Sequence, residues 1–226
     1  MKILVLAAMT KEIELLKEIL SNKTLEKYGK EEIWKGEIGN NTVYLAKCGI
    51  GKVNSALNTL LFSQFIHPDL IINSGVAGGA GTPIGSVLVA DKVAYHDVWC
   101  GPGTDYGQIQ GLPLYLLPEK KILEIVDFSG KEDRIIKGLI CSGDKFISTK
   151  NEIDNIRNHF PDVKAVDMES ASIAQTAILN NIPFAIIRVI SDTPGEGENI
   201  SQYKDFWTQA PLKTFHMVKS IIKNLQ

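Results

Sequence analysis

Three acidic residues stand where apolar runs of this chain stop. Glu12 comes after Ile3-Leu4-Val5-Leu6-Ala7, Glu169 ends the run from Val163, and Asp192 closes Phe184–Ile190, which also holds Arg188. Other polar or small residues occupy equivalent points. Met9 follows the first run, Ser74 to Gly79 follow Leu70-Ile71-Ile72, Phe146 and Ile147 follow Ile135–Ser142, and Ser191 precedes Asp192. If these runs are parallel strands, the five points gather along one edge. Three carboxylates in a partly dry cleft repel one another, and burial adds to the effect, so at least one has a raised pKa. A neutral acid beside an ionised base is what acid–base hydrolysis needs. An acid in a first helical turn is common for electrostatic reasons alone, so Glu12 gains meaning only with its partners.

The elements that must position these residues are legible in outline. Met1–Ala8 reads as a buried strand, followed by a helix capped by Thr10 with Ile13, Leu16 and Leu20 on its buried stripe. Strands are expected near Glu32–Glu37 and Thr42–Cys48, with Gly39-Asn40-Asn41 between them. A helix over Lys52–Phe65, the Leu70 strand and a strand over Ser86–Tyr95 come next. His96 to Pro118 is irregular and rich in Gly and Pro, a length that points to function or an interface. Then follow a helix near Glu119–Phe128, a strand at Ile135–Ser142, a helix over Glu152–His159 and a strand at Val163–Glu169. A helix over Ser170–Asn180, a strand at Phe184–Ile190 and a helical tail from Ser201 to Leu225, broken at Pro211, complete the chain. Alternating strands and helices, with strands apolar on both faces, predict a single α/β domain over residues 1–226. Its central sheet is mixed and mostly parallel, with helices on both sides. Ligands of such folds sit beyond the carboxyl ends of the strands.

Composition narrows the class. The 226 residues are 44% hydrophobic and 22% charged, which excludes disordered and fibrous proteins. A net charge of −2 gives no electrostatic footprint for nucleic acid or anionic membrane. Cys48, Cys100 and Cys141 form no CxxC pair, and the apolar start is too short for a signal peptide, so a cytoplasmic protein is expected. Ser74-Gly75-Val76-Ala77-Gly78-Gly79 lacks the spacing of a P-loop or a dinucleotide fingerprint. The four histidines show no metal spacing.

The segments MKILVLAAMTKEIELL, KCGIGKVNSA, PDLIINSGVAGG, ADKVAYHD, YGQ, GLICSGDKFI, AVDMESASIAQ and PFAIIRVISD occur in order. Together they resemble the bacterial 5′-methylthioadenosine/S-adenosylhomocysteine nucleosidases, which belong to the nucleoside phosphorylase-like superfamily of three-layer α/β sandwiches. The resemblance runs from Met1 to about Val218. It implies hydrolysis of an adenine N-ribosidic bond without metal or organic cofactor, by a homodimer acting on a small adenine nucleoside. By motif, Asp192 is the acid that protonates adenine at N7, Ser191 helps to place its carboxyl, and Glu12 is the base that activates water. Arg188 lies near the water and carboxylate network. Glu169 accepts hydrogen bonds from the ribose hydroxyls with Met168 against the sugar, and Asp167 is a further ribose contact or a helix N-terminal charge. Phe146 stacks on adenine, and the Ile147 backbone reads its edge. Ala77 and Gly78 line the base pocket, Met9 and Ile50 border the sugar and alkylthio end, and Tyr203 belongs to a segment that closes over the site.

The chain departs from the family pattern at three places. Val76 stands where the family often has Ser, Asp167 where it often has Glu, and the loop Val98–Pro113 differs around Trp99, Leu112 and Pro113. Three other readings share the scaffold: a purine nucleoside phosphorylase, a hydrolase of futalosine-type nucleosides, and a nucleoside-binding protein without turnover. A phosphorylase needs cationic groups for phosphate, and the chain has only Arg134, Arg157 and Arg188.

Overall fold

The structure, a computed structural model, describes residues 1–126, 134–196, 199–206 and 210–225. Its frame is one nine-stranded mixed sheet. The amino-terminal part holds β1 (Lys2–Ala7), β2 (Ser21–Tyr28), β3 (Glu31–Ile38), β4 (Asn41–Lys47) and β5 (Leu70–Gly79). The remainder is β6 (Val87–Tyr95), β7 (Ile135–Ser142), β8 (Val163–Asp167) and β9 (Phe184–Asp192). The order is β2-β3-β4-β1-β5-β8-β7-β6-β9, and β9 also pairs with β5. The last five strands therefore close into a ring. Parallel pairing joins β1 to β4 and β5, β5 to β9, and β7 to β6 and β8. The flanking helices are α1 (Thr10–Glu18), α2 (Lys52–Ile66), α3 (Lys120–Ile125), α4 (Lys150–His159), α5 (Ser170–Leu179), α6 (Asn199–Phe206) and α7 (Ala210–Asn224). This is the mixed sheet between helical layers that the sequence predicts.

Strand periodicity builds the two main cores. Leu4 and Leu6 of β1 point to one face, where Phe62 and Ile66 of α2 pack with Ile173 and Ala177 of α5. Ile3, Val5 and Ala7 point to the other, against Ile13 and Leu16 of α1 and Val218, Ile221 and Ile222 of α7. Because both faces are covered, β1 and β9 read as near-continuous apolar runs, interrupted in β9 by Arg188, and every residue of β9 is buried.

Several elements differ from the sequence expectation. β2 carries no apolar alternation, because it is an edge strand lying mostly in solvent. The strand expected over Leu70-Ile71-Ile72 continues as β5 through the glycine-rich segment to Gly79. Its last two residues pair antiparallel with Val166 and Ala165, which turns the end of β8 toward the end of β5. Thr10 is not the cap of α1 but its first residue; Met9 occupies the cap position and has no side-chain bond there. The helix expected to Phe128 is described as far as Ile125, and residues 127 and 128 lie outside the described residues. Pro211 falls in the first turn of α7, where a missing N–H costs nothing. No described helix is long and apolar enough to cross a membrane.

Candidate active site

The ends of β1, β5, β7, β8 and β9 meet at one cleft of about 690 Å³, its open mouth included. Met9, Glu12, Ile50, Val76, Ala77, Gly78, Phe146, Ile147, Asp167, Met168, Glu169, Arg188, Ser191, Asp192 and Tyr203 line it, whereas Trp99, Leu112 and Pro113 of the long loop do not. Ala8, Asn73, Ser74, Gly75, Lys145 and Val166 complete the lining.

Glu12 is buried, and its position follows from the start of α1. The Met9 amide donates to its Oε2 at 3.1 Å, so the third helical residue reaches back to the cap. Burial pushes its pKa up to about 7, against the opposing pull of the Met9 amide and the Arg188 charge. Val76 touches this carboxylate through its backbone, a contact that does not depend on the side chain at that position. Gly75 lies directly beneath: a Cβ there would stand 3.1 Å from Glu12 Oε1 and 3.5 Å from Arg188 Nη1.

Glu169 also reaches about 7, first through burial and then through the Asp167 charge. Its Oε1 accepts the Gly51 amide at 2.9 Å, just ahead of α2. Asp192 is buried, and Ser191 Oγ donates to its Oδ1 at 2.7 Å. Two carboxylates with raised pKa and a third held by a hydroxyl thus face one partly dry volume.

Arg188 is the largest fully buried side chain among the described residues. Its Nε and Nη2 each lie 2.8 Å from Asp167 Oδ2. Nη2 also donates to Asn73 Oδ1, and Nη1 donates to the carbonyls of Ile187 at 3.0 Å and Asn73 at 3.4 Å. Asn73 is fixed in turn by donating to the Leu6 carbonyl at 3.0 Å. Asp167 accepts from the hydroxyls of Ser142 and Ser170 as well, so both its oxygens are engaged by protein. Asn73, Ser142 and Ser170 were not singled out in the sequence. Their one signal is that polar residues interrupt otherwise apolar strand ends.

The mouth is aromatic and apolar. Phe146 meets Tyr203 of α6 edge-on, with ring centroids 5.4 Å apart and planes at 72°. Ile50 stands at the rim, half exposed. Gln202 of α6 accepts the Thr193 amide at 3.0 Å, which ties this helix to the end of β9.

An α/β scaffold with buried acids at converging strand ends and an apolar mouth is the arrangement that acid–base chemistry on a small ligand needs. The family model of the phosphorylase superfamily matches residues 2–223. A 5′-methylthioadenosine/S-adenosylhomocysteine nucleosidase of Haemophilus influenzae (strain PittEE) is 35% identical over the whole of both chains. The crystal structure of the S-adenosylhomocysteine nucleosidase of Streptococcus pyogenes with 5-methylthiotubericidin superposes with a TM-score of 0.94 at 32% identity, covering 100% of this chain and 98% of that one. The Neisseria meningitidis 5′-methylthioadenosine/S-adenosylhomocysteine nucleosidase, in complex with methylthio-immucillin-A, gives 0.94 at 34% identity and 99% coverage of both chains. This chain belongs to the phosphorylase superfamily and, within it, to the 5′-methylthioadenosine/S-adenosylhomocysteine nucleosidase family.

Proposed function

We propose that this protein hydrolyses the N-ribosidic bond of 5′-methylthioadenosine and S-adenosylhomocysteine to release adenine. The observation that carries this reading is the convergence of Glu12, Glu169 and Asp192 in one apolar-mouthed cleft. Family membership at full length supports it. Asp192 gives its proton to N7 of the base as the C1′–N9 bond breaks and the bonding electrons pass to adenine. Water attacks C1′ from the other face and loses its proton to Glu12. Each such proton transfer contributes typically 10²–10⁴-fold. Glu169 takes the ribose hydroxyls, with Met168 and Met9 against the sugar. Phe146 stacks on the base, Ile147 reads its edge, and Ala77 and Gly78 form the floor. Tyr203 covers the pair from α6. Asp167 acts here by holding Arg188, since its oxygens are already taken. Arg188 acts by its charge on Glu12.

Hydrolysis is favoured over phosphorolysis by the donors available. The guanidinium of Arg188 is engaged by Asp167, Asn73 and Ile187, and Arg157 pairs with Asp154 on α4. An anion beside Glu12 and Glu169 would meet repulsion rather than a cationic cradle.

A homodimer fits the exposed apolar side chains of α2. Val53, Leu57 and Phe65 are large and exposed, and Ile50 and Trp99 add to them nearby in the chain or in the long loop. Three free cysteines, with Cys100 exposed, fit a reducing cytoplasm.

The deciding experiment is chromatography of products from methylthioadenosine and S-adenosylhomocysteine, with and without phosphate and chelator. Adenine plus free sugar, independent of both additions, is the expected result. A sugar phosphate formed only with phosphate would establish a phosphorylase instead. Binding without adenine release would establish a nucleoside-binding protein.

A further inference from the structure

The start of α2 is gripped by carboxylates from two other parts of the chain. Its cap, Gly51, has φ +86° and no side chain to satisfy the free amides of the first turn. Glu169, after β8, accepts the Gly51 amide at 2.9 Å. Asp144, after β7, accepts the next amide, Lys52, through Oδ1 at 2.7 Å. A Cβ on Gly51 would stand 3.0 Å from that same Oδ1 and would push the carboxylate aside by a few tenths of an ångström.

Asp97, after β6, completes a triangle. Its Oδ2 accepts both the Asp144 amide at 2.8 Å and Lys52 Nζ at 2.7 Å. Gly143 packs tightly below: a Cβ there would stand 2.4 Å from the His96 ring and 2.7 Å from the Asp97 carboxyl carbon. The stretch Gly143–Ser148 that carries Phe146 and Ile147 is thereby joined to the Lys52 amide, next in the chain to the Gly51 amide that holds Glu169.

We infer that Asp144, locked by Asp97 and Lys52, is a positioning residue for the reaction. It sets the distance between the base-holding stretch Phe146–Ile147 and the sugar-holding carboxylate of Glu169. This rests on the roles proposed above for those residues. The triangle lies outside the cleft lining and is partly exposed, so its loss changes geometry rather than the reacting groups. Misplacing reacting groups by about 1 Å can cost roughly 10²-fold.

The test compares Asp144→Ala with Asp144→Asn, whose amide oxygen still accepts from Lys52. Asp144→Ala is expected to lose about 10- to 100-fold in kcat on methylthioadenosine, with a smaller change in KM. Asp144→Asn is expected to stay close to the parent. Hydrogen–deuterium exchange is expected to rise at Gly51–Lys52 in Asp144→Ala and to stay low in Asp144→Asn. Parental kcat in Asp144→Ala would overturn the inference. So would equal losses in both variants that track an equal fall in Tm. If the parent protein does not hydrolyse methylthioadenosine, the reaction reading fails, and exchange at the Lys52 amide alone decides whether Asp144 holds the α2 start.

Discussion

Both Nε and Nη2 of Arg188 lie 2.8 Å from one oxygen of Asp167, and the pair is almost fully buried. The ion pair joins β8 to β9 beneath the cleft and places a fixed positive charge under Glu12. Breaking a buried pair from one side leaves an uncompensated charge, which costs about 3–5 kcal/mol. Asp167→Ala also strips an acceptor from the Ser142 and Ser170 hydroxyls. The expected result is a loss of stability in that range, read from urea unfolding. A loss under about 1 kcal/mol would mean that the interior relaxes around Arg188 far more than a packed core usually does.

The raised acids make stability depend on pH in a definite direction. Glu12 and Glu169 titrate near 7 in the fold, above the ordinary value of 4.5. Between those values the native state holds protons that the unfolded chain has released, so stability falls as pH rises. The contribution is full below about 4.5 and lost on passing about 7. Tm is therefore expected to be lower at pH 8 than at pH 6 from these two groups. Glu12→Gln, which removes one buried charge, is expected to flatten the slope and raise Tm at pH 8. A steeper slope in that variant would contradict the burial argument.

The same titration governs the rate. Glu12 works as a base only when ionised, so kcat/KM is expected to rise through about pH 7 as it loses its proton. Glu169 titrates in the same range, so the profile reports apparent values of the pair. Glu12→Gln is expected to lose most of the rate while still binding substrate analogues. Loss of analogue binding instead would make Glu12 a binding or structural residue.

Much of this site was legible because strand ends are punctuated by composition. Apolar runs, one interrupted by Lys164 and Asp167 and another by Arg188, stop near Met9, Met168 and Ser191, and the fold brings those stops to one edge. Phe146 and Tyr203, far apart in the chain, meet at the mouth of the cleft. The edge strand β2 was not legible, since solvent-facing polar residues carry no alternation. The extension of β5 through the glycines to Gly79 was not legible because glycine is scarce in strands, yet at Gly75 the Glu12 and Arg188 side chains close in on the backbone. The grip of Asp144 on Lys52 was invisible as well. Its partners are separated by 92 positions, and no local pattern encodes an acceptor for another helix's amide.

Asp192 separates chemistry from folding cleanly. Asp192→Asn keeps an oxygen to accept from Ser191 Oγ, so the buried contact at 2.7 Å survives. The amide has no acidic proton to give. Turnover is expected to fall about 10²–10⁴-fold, with Tm close to the parent. Near-parental turnover would remove Asp192 from the role of acid.

Gly75 offers the most local probe of the base. A methyl group there would stand 3.1 Å from Glu12 Oε1, closer than such atoms rest comfortably, and 3.5 Å from Arg188 Nη1. Arg188 has little freedom to yield, being held by Asp167, Asn73 and Ile187. The carboxylate must therefore shift by a few tenths of an ångström. Gly75 has no positive φ, so alanine brings no backbone strain. Gly75→Ala is accordingly expected to fold with near-parental Tm but to lose about 10-fold or more in kcat, with the pH midpoint of kcat/KM displaced. A Gly75→Ala variant with unchanged kcat and unchanged midpoint would show that the reaction does not depend on where Glu12 points.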